Sequence, residues 1–126
     1  AITHWPGKIV FAGREIGHTI FVGDRLKDTP VDNPVRRAYQ LHRERAKAKH
    51  WNHHTADPTA VLLAVRGILN YWNLSECGYI DIKNNCSFVW KDHPEGNQRY
   101  IIQKMDREQL GLILEDLMVI PPDKHE

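Results

Sequence analysis

Cysteine is scarce in this chain: Cys77 and Cys86 are the only two in 126 residues. Two thiols cannot build a disulfide framework, and without a C-x-x-C spacing they suggest neither a redox motif nor a zinc knuckle. They flank an expected hairpin, where they either pair across it or, the preferred reading, remain buried free thiols. Charge of one sign is equally lacking. The formal net charge is +1, which gives no electrostatic case for nucleic acid or for an acidic membrane surface. Long apolar runs are missing too. None approaches the roughly 20 residues that a membrane-spanning helix requires. The chain opens with Ala1 and no secretory signal, and it enters an apolar run by Ile9, an abrupt start that suggests processing or a fragment. We therefore expect a soluble protein, cytoplasmic or secreted after signal removal. Asn73-Leu74-Ser75 and Asn85-Cys86-Ser87 are glycosylation acceptors only in a secreted setting.

What is present is an ordinary globular composition, 41% hydrophobic and 26% charged, with eight histidines that make the charge respond to pH near neutrality. The length suits one segment, 1–126, of an α/β fold. Lys8-Ile9-Val10-Phe11-Ala12 is apolar on consecutive positions, as in a buried parallel strand, and Gly13-Arg14-Glu15-Ile16-Gly17 follows at its carboxyl end, where ligands gather in open α/β sheets. No second parallel strand is evident, which leaves an apolar edge for a partner to cover. Residues 21–32 read as a surface loop. Asn33-Pro34 pairs a cap with a proline and starts a helix through Tyr39 and Leu41, and residues 43–54 read as a solvated helix end and loop.

Thr55-Ala56-Asp57-Pro58 opens a second helix, with Asp57 as the expected N-cap, Pro58 as its first residue, and Ala60, Val61, Ala64 and Val65 as its apolar face. Beyond Gly78 the period shortens. Tyr79–Ile82, Ser87–Trp90 and Arg99–Ile102 read as a small antiparallel meander turned at Lys83-Asn84-Asn85 and Pro94-Glu95-Gly96-Asn97. Asp106 caps a last helix with the stripe Leu110, Ile113, Leu114, Leu117 and Met118, stopped by Pro121-Pro122.

The candidate chemistry is thin when read from residue types alone. Asp57 is either a cap or a carboxylate held toward a cation or sugar. Glu15 would suit acid–base work if burial raised its pKa, and pairing with Arg14 or Arg37 is the simpler role. His50 precedes His53 and His54 by helical spacings and His42 is near, a zinc alternative that no cysteine or carboxylate completes. Arg36, Arg37, Arg43, Arg45, Lys47 and Lys49 form a solvated basic helix face. Trp72, Trp90 and Tyr100 are expected to be core aromatics.

Five pieces in order carry a resemblance. They are Trp5-Pro6-Gly7-Lys8-Ile9-Val10-Phe11-Ala12-Gly13-Arg14-Glu15-Ile16-Gly17, Asn33-Pro34-Val35-Arg36-Arg37-Ala38-Tyr39, Asp57-Pro58-Thr59-Ala60-Val61-Leu62, Gly96-Asn97-Gln98-Arg99-Tyr100 and Leu117-Met118-Val119-Ile120-Pro121-Pro122. Together they resemble the C-terminal part of nucleoside hydrolase-like proteins. The resemblance implies an open-sheet α/β enzyme that hydrolyses the N-ribosidic bond of a nucleoside with a bound calcium ion. It implies that Asp57 is the late metal ligand, and that an upstream aspartate cluster, absent from this sequence, supplies the others. Where family members place a His or Trp to help the nucleobase leave, this chain has Ala56, and His54 or Trp51 would act from the same loop. Taken alone the chain is expected to be inactive, and to pair with the missing N-terminal part or with a second copy. The alternative is a non-catalytic binding or assembly module.

Overall fold

The computed structural model describes residues 2–121, and Pro122, the second half of the expected stop signal, lies outside them. The architecture is mixed α/β. Among the described residues there are seven short strands: β1 (Ile9–Phe11), β2 (Phe21–Val22) and β3 (His53–His54), interspersed with helices, then β4 (Trp72–Leu74), β5 (Gly78–Ile82), β6 (Phe88–Asp92) and β7 (Gln98–Gln103) in succession. The helices are α1 (Arg14–Gly17), α2 (Pro34–Ala46), α3 (Ala56–Arg66) and α4 (Arg107–Val119).

The main sheet is open and mixed, ordered β1-β7-β5-β6, with β4 also antiparallel to β7. β1 is a parallel strand, as its unbroken apolar run suggests, yet it is not partnerless. It pairs with β7 in the register Ile9↔Gln98, Val10↔Arg99, Phe11↔Tyr100. One edge of β1 is therefore covered from within the chain, by a strand ninety residues downstream that local pattern cannot reveal, and its other edge ends the sheet. Asn97 secures the start of this pair: its carbonyl accepts from Ile9 N and its side-chain amide donates to the Trp5 and Gly7 carbonyls. The three expected antiparallel strands are β5, β6 and β7, and β7 returns beside β5 rather than β6.

Hairpin β5–β6 closes at Lys83-Asn84-Asn85, with Cys86 in a left-handed conformation (φ 63°) at the turn. That position exposes the Cys86 thiol. Cys77 lies at the opposite end of the hairpin, so the two cannot bridge and both are free. The expectation of buried thiols thus fails for Cys86, and Cys77 is half-buried, receiving the Arg99 Nε–H. On β5, Asp81 meets the Lys83 and Lys91 ammonium groups at 2.8 and 2.7 Å, and these hold its carboxyl down at about 2.

The core lies between the sheet and the helices α3 and α4: Ile16, Ile20, Val22, Leu62, Tyr71, Trp72, Ile101, Leu110 and Leu114. Trp72 is the largest fully buried side chain among the described residues, and its indole N–H is unpartnered among them, a cost of about 1–3 kcal/mol. Segment 21–32 is not a surface loop. It contains β2 and a 3₁₀ turn at Asp24–Asp28, whose Leu26 is fully buried. Gly23 makes the bend possible at φ 124°, where a Cβ would strike the Tyr39 ring at 2.6 Å. Its N–H and that of Arg25 donate to the buried Glu115 carboxylate of α4.

The helix starts divide in two. Asn33 and Asp106 cap α2 and α4 as expected, each accepting from two backbone N–H groups. Asp57 does not cap α3. The cap position falls on Thr55, so Asp57 and Pro58 are both inside the first turn, where a proline lacks no needed donor. The face of α3 is also rotated from the expected one. Thr59 and Leu62 are buried, whereas Val61 and Val65 are 60% and 78% exposed.

Candidate functional site

The first link in the site is steric. α1 follows the carboxyl end of β1, and its Gly17 packs so closely on α3 that a Cβ there would lie 2.4 Å from Ala56 Cα. The Gly17 carbonyl accepts from Thr55 N at 2.9 Å, and Thr55 Oγ1 donates to the Ile20 carbonyl at 3.2 Å. Thr55 is fully buried. The start of α3, and with it Asp57, is thereby fixed against the short helix that carries Glu15.

Asp57 is exposed and makes no hydrogen bond or ion pair among the described residues. It borders a groove of about 520 Å³ between α3 and α4, lined otherwise by Pro58, Val61, Val65, Leu117 and Met118 among others. Glu15 borders a different cleft, of about 460 Å³, at the carboxyl end of β1. Its walls are Phe11, Phe88, Trp90 and Tyr100, and Trp90 meets Tyr100 edge to face at 4.9 Å. Trp90 and Tyr100 are thus half-buried wall residues on the sheet rather than core, while Trp72 is core as expected. The Glu15 carboxylate folds back over Gly13. It is exposed rather than buried, and among the described residues it forms no ion pair with Arg14 or Arg37. The two carboxylates therefore sit on connected elements but open onto separate cavities.

The loop before α3 carries the other candidates. Trp51 is half-buried under the Arg43 guanidinium, 4.8 Å from its ring centre. His54 stacks on His18 at 4.2 Å and lies 4.0 Å from His53, and His53 lies 4.2 Å from His42 on α2. Burial and the neighbouring imidazoles push His53 below its ordinary value of 6.5, and burial with His54 and Arg14 does the same to His18. These rings are packed against one another rather than converging on a shared point. Among the described residues, no group of three or more His, Cys, Asp or Glu side chains is placed to hold a metal ion. His50, the remaining member of the zinc alternative, is exposed and outside the row.

His18 was not a candidate in the sequence. It follows Gly17 at the end of α1, and the β2–β3 pairing (Phe21↔His54, Val22↔His53) together with the Thr55 N–H bond to the Gly17 carbonyl brings it to the loop. The aromatic cleft was equally hidden, because Phe11, Tyr100, Trp90 and Phe88 come from three strands whose order is set by long-range pairing. Among the described residues, no helix is long and apolar enough to cross a membrane. No family profile, curated protein or solved structure matches the chain.

Proposed function

We propose that this chain contributes Asp57 as one calcium ligand to a nucleoside hydrolase-like N-glycosidase, which hydrolyses the N-ribosidic bond of a nucleoside. The reading rests on the five segments described above, and one observation supports it. The cap of α3 falls on Thr55, so the Asp57 carboxylate is exposed and unpaired among the described residues rather than committed to its own helix. A ligand carboxylate needs that freedom.

Calcium takes six to eight oxygen ligands, and the described residues offer one carboxylate at this place. They do not make the site by themselves, and no step of the reaction is derived through the metal. In this reading the remaining oxygens come from an aspartate cluster outside these 126 residues. Hydrolysis adds a water oxygen to the anomeric carbon, breaks the C–N bond and delivers a proton to the departing base. His54 and Trp51 belong on the nucleobase side, His54 as a proton donor and Trp51 as a flat apolar surface. Glu15 remains a second carboxylate near the end of β1.

The test uses this chain alone and joined to a segment that carries the aspartate cluster. The chain alone is expected to release no base from inosine or uridine, with or without calcium. The joined protein should do so only with calcium. Asp57→Ala should then lower its rate by more than the ~10–100-fold typical of an outer-shell partner. Calcium-dependent turnover by the isolated chain, or an unchanged rate in the joined Asp57→Ala protein, would sink the reading.

A second reading, a non-catalytic assembly module, is favoured by the exposed apolar groove between α3 and α4, with Val65 78% and Leu117 41% exposed. It no longer draws on a partnerless β1, since β7 pairs with one side of that strand. Sedimentation of the purified chain discriminates: a defined oligomer abolished by Val65→Glu supports assembly, and a monomer in both forms removes it.

A further inference from the structure

Four histidines from three separate elements form one unbroken row. His18 sits at the end of α1, His54 and His53 form β3, and His42 is on α2. Neighbouring ring centres are 4.2, 4.0 and 4.2 Å apart, with interplanar angles of 19°, 33° and 47°. Besides this row, the loop from Lys47 to Thr55 is tied down by the two-residue β2–β3 pairing, by Trp51 under Arg43 and by the Thr55 hydrogen bonds. Neutral imidazoles stack favourably. Imidazolium cations at the same spacing repel, and no carboxylate is present among the groups that act on His18 or His53 to offset that repulsion. The charged neighbours are themselves cationic: Arg14 of α1 acts on His18, and Arg43 of α2 lies over Trp51 beside the row.

We propose that the row His18–His54–His53–His42 is a pH-operated latch, which holds the 47–55 loop against α1 and α2 while its rings are neutral and releases it on acidification. The direction follows from linkage. His18 and His53 are lowered in the folded chain, by burial first and by their imidazole neighbours second. Between those lowered values and the ordinary 6.5, the unfolded chain binds more protons than the folded one. The stability due to the row is therefore complete above about 6.5 and is lost as pH falls from there through the folded values. His18 and His53 are coupled, since charge on His18 lowers His53 further. The loop leads directly into Thr55 and α3, so release loosens the mounting of Asp57. The latch is read from ring resonances and stability, not from turnover, and so stands or falls separately from the glycosidase reading.

The experiment combines imidazole NMR from pH 8 to pH 5 with urea unfolding at pH 7.5 and pH 5.5 on the full chain. The expected result is that His18 and His53 titrate below 6.5, that the Thr55 amide shifts with the same midpoints, and that the urea midpoint drops on acidification. His53→Gln breaks the row at its centre. It should flatten the loss of stability between the two pH values, while His50→Gln, outside the row, leaves that loss as in the parent. If His53→Gln does not fold, His42→Gln at the exposed end should flatten the loss partially. Midpoints at or above 6.5 for His18 and His53 would overturn the latch. So would a row variant whose urea midpoint falls with pH as steeply as that of the parent.

Discussion

Helices α2 and α4 have the same length, thirteen residues, and begin with the same device, an Asn or Asp side chain accepting from two backbone N–H groups. Their surroundings differ. α4 buries Leu110, Gly111, Leu114 and Glu115, whereas no residue of α2 is fully buried. α4 is thus held by the core, and by a carboxylate that the 3₁₀ turn requires. α2 is held by its two end caps (Asn33, and Lys47 in the left-handed conformation), by Tyr39 against Gly23, and by the His42 contact. The pair shows that a clean start signal says where a helix begins and nothing about what secures it.

Substitutions can break or sharpen this contrast. The largest expected effect is Leu114→Ala, which opens a cavity in the core and should cost about 2–5 kcal/mol in urea unfolding. Glu115→Ala comes next. It leaves the buried Gly23 N–H and the Arg25 N–H without their acceptor and should cost about 1–3 kcal/mol. The two caps then separate the helices. Asp106→Ala should lower global stability by about 1 kcal/mol, whereas Asn33→Ala should appear chiefly as faster amide exchange confined to α2. A global loss as large for Asn33→Ala as for Asp106→Ala would contradict the contrast. Smallest is Leu41→Ala, at a position 48% exposed, which should stay within about 0.5 kcal/mol of the parent.

The elements legible in the sequence are those whose signals are local. Asn33-Pro34, Asp106 and the turn at Lys83-Asn84-Asn85 all lie where their chemistry places them. Asp57 misled because proline is acceptable anywhere in a first helical turn, so Asp-Pro does not fix which residue caps. Segment 21–32 misled because only two apolar residues, Val22 and Leu26, anchor it among charges, and Glu115, which fastens its turn, lies some ninety residues away. The apolar face through Val61 and Val65 is exposed: helical period gives a stripe without saying which side faces inward. At the candidate site, the loop carrying Trp51 and His54 was visible as a run of His, Lys and Arg. Its partner His18 was not, since no local pattern records a contact across thirty-six residues.

The close approach of Gly17 to Ala56 implies something about tolerance to change. Gly17 does not lie in the left-handed region, so what keeps it a glycine is clearance, not backbone freedom. A methyl group there would act as a spacer, prying α1 off the start of α3 and shifting the mounts of Glu15, His18 and Asp57 relative to one another. A residue with no functional group of its own thus sets the gauge of the whole corner. A screen of variants would mark Gly17 as sharply as any residue bearing a charge.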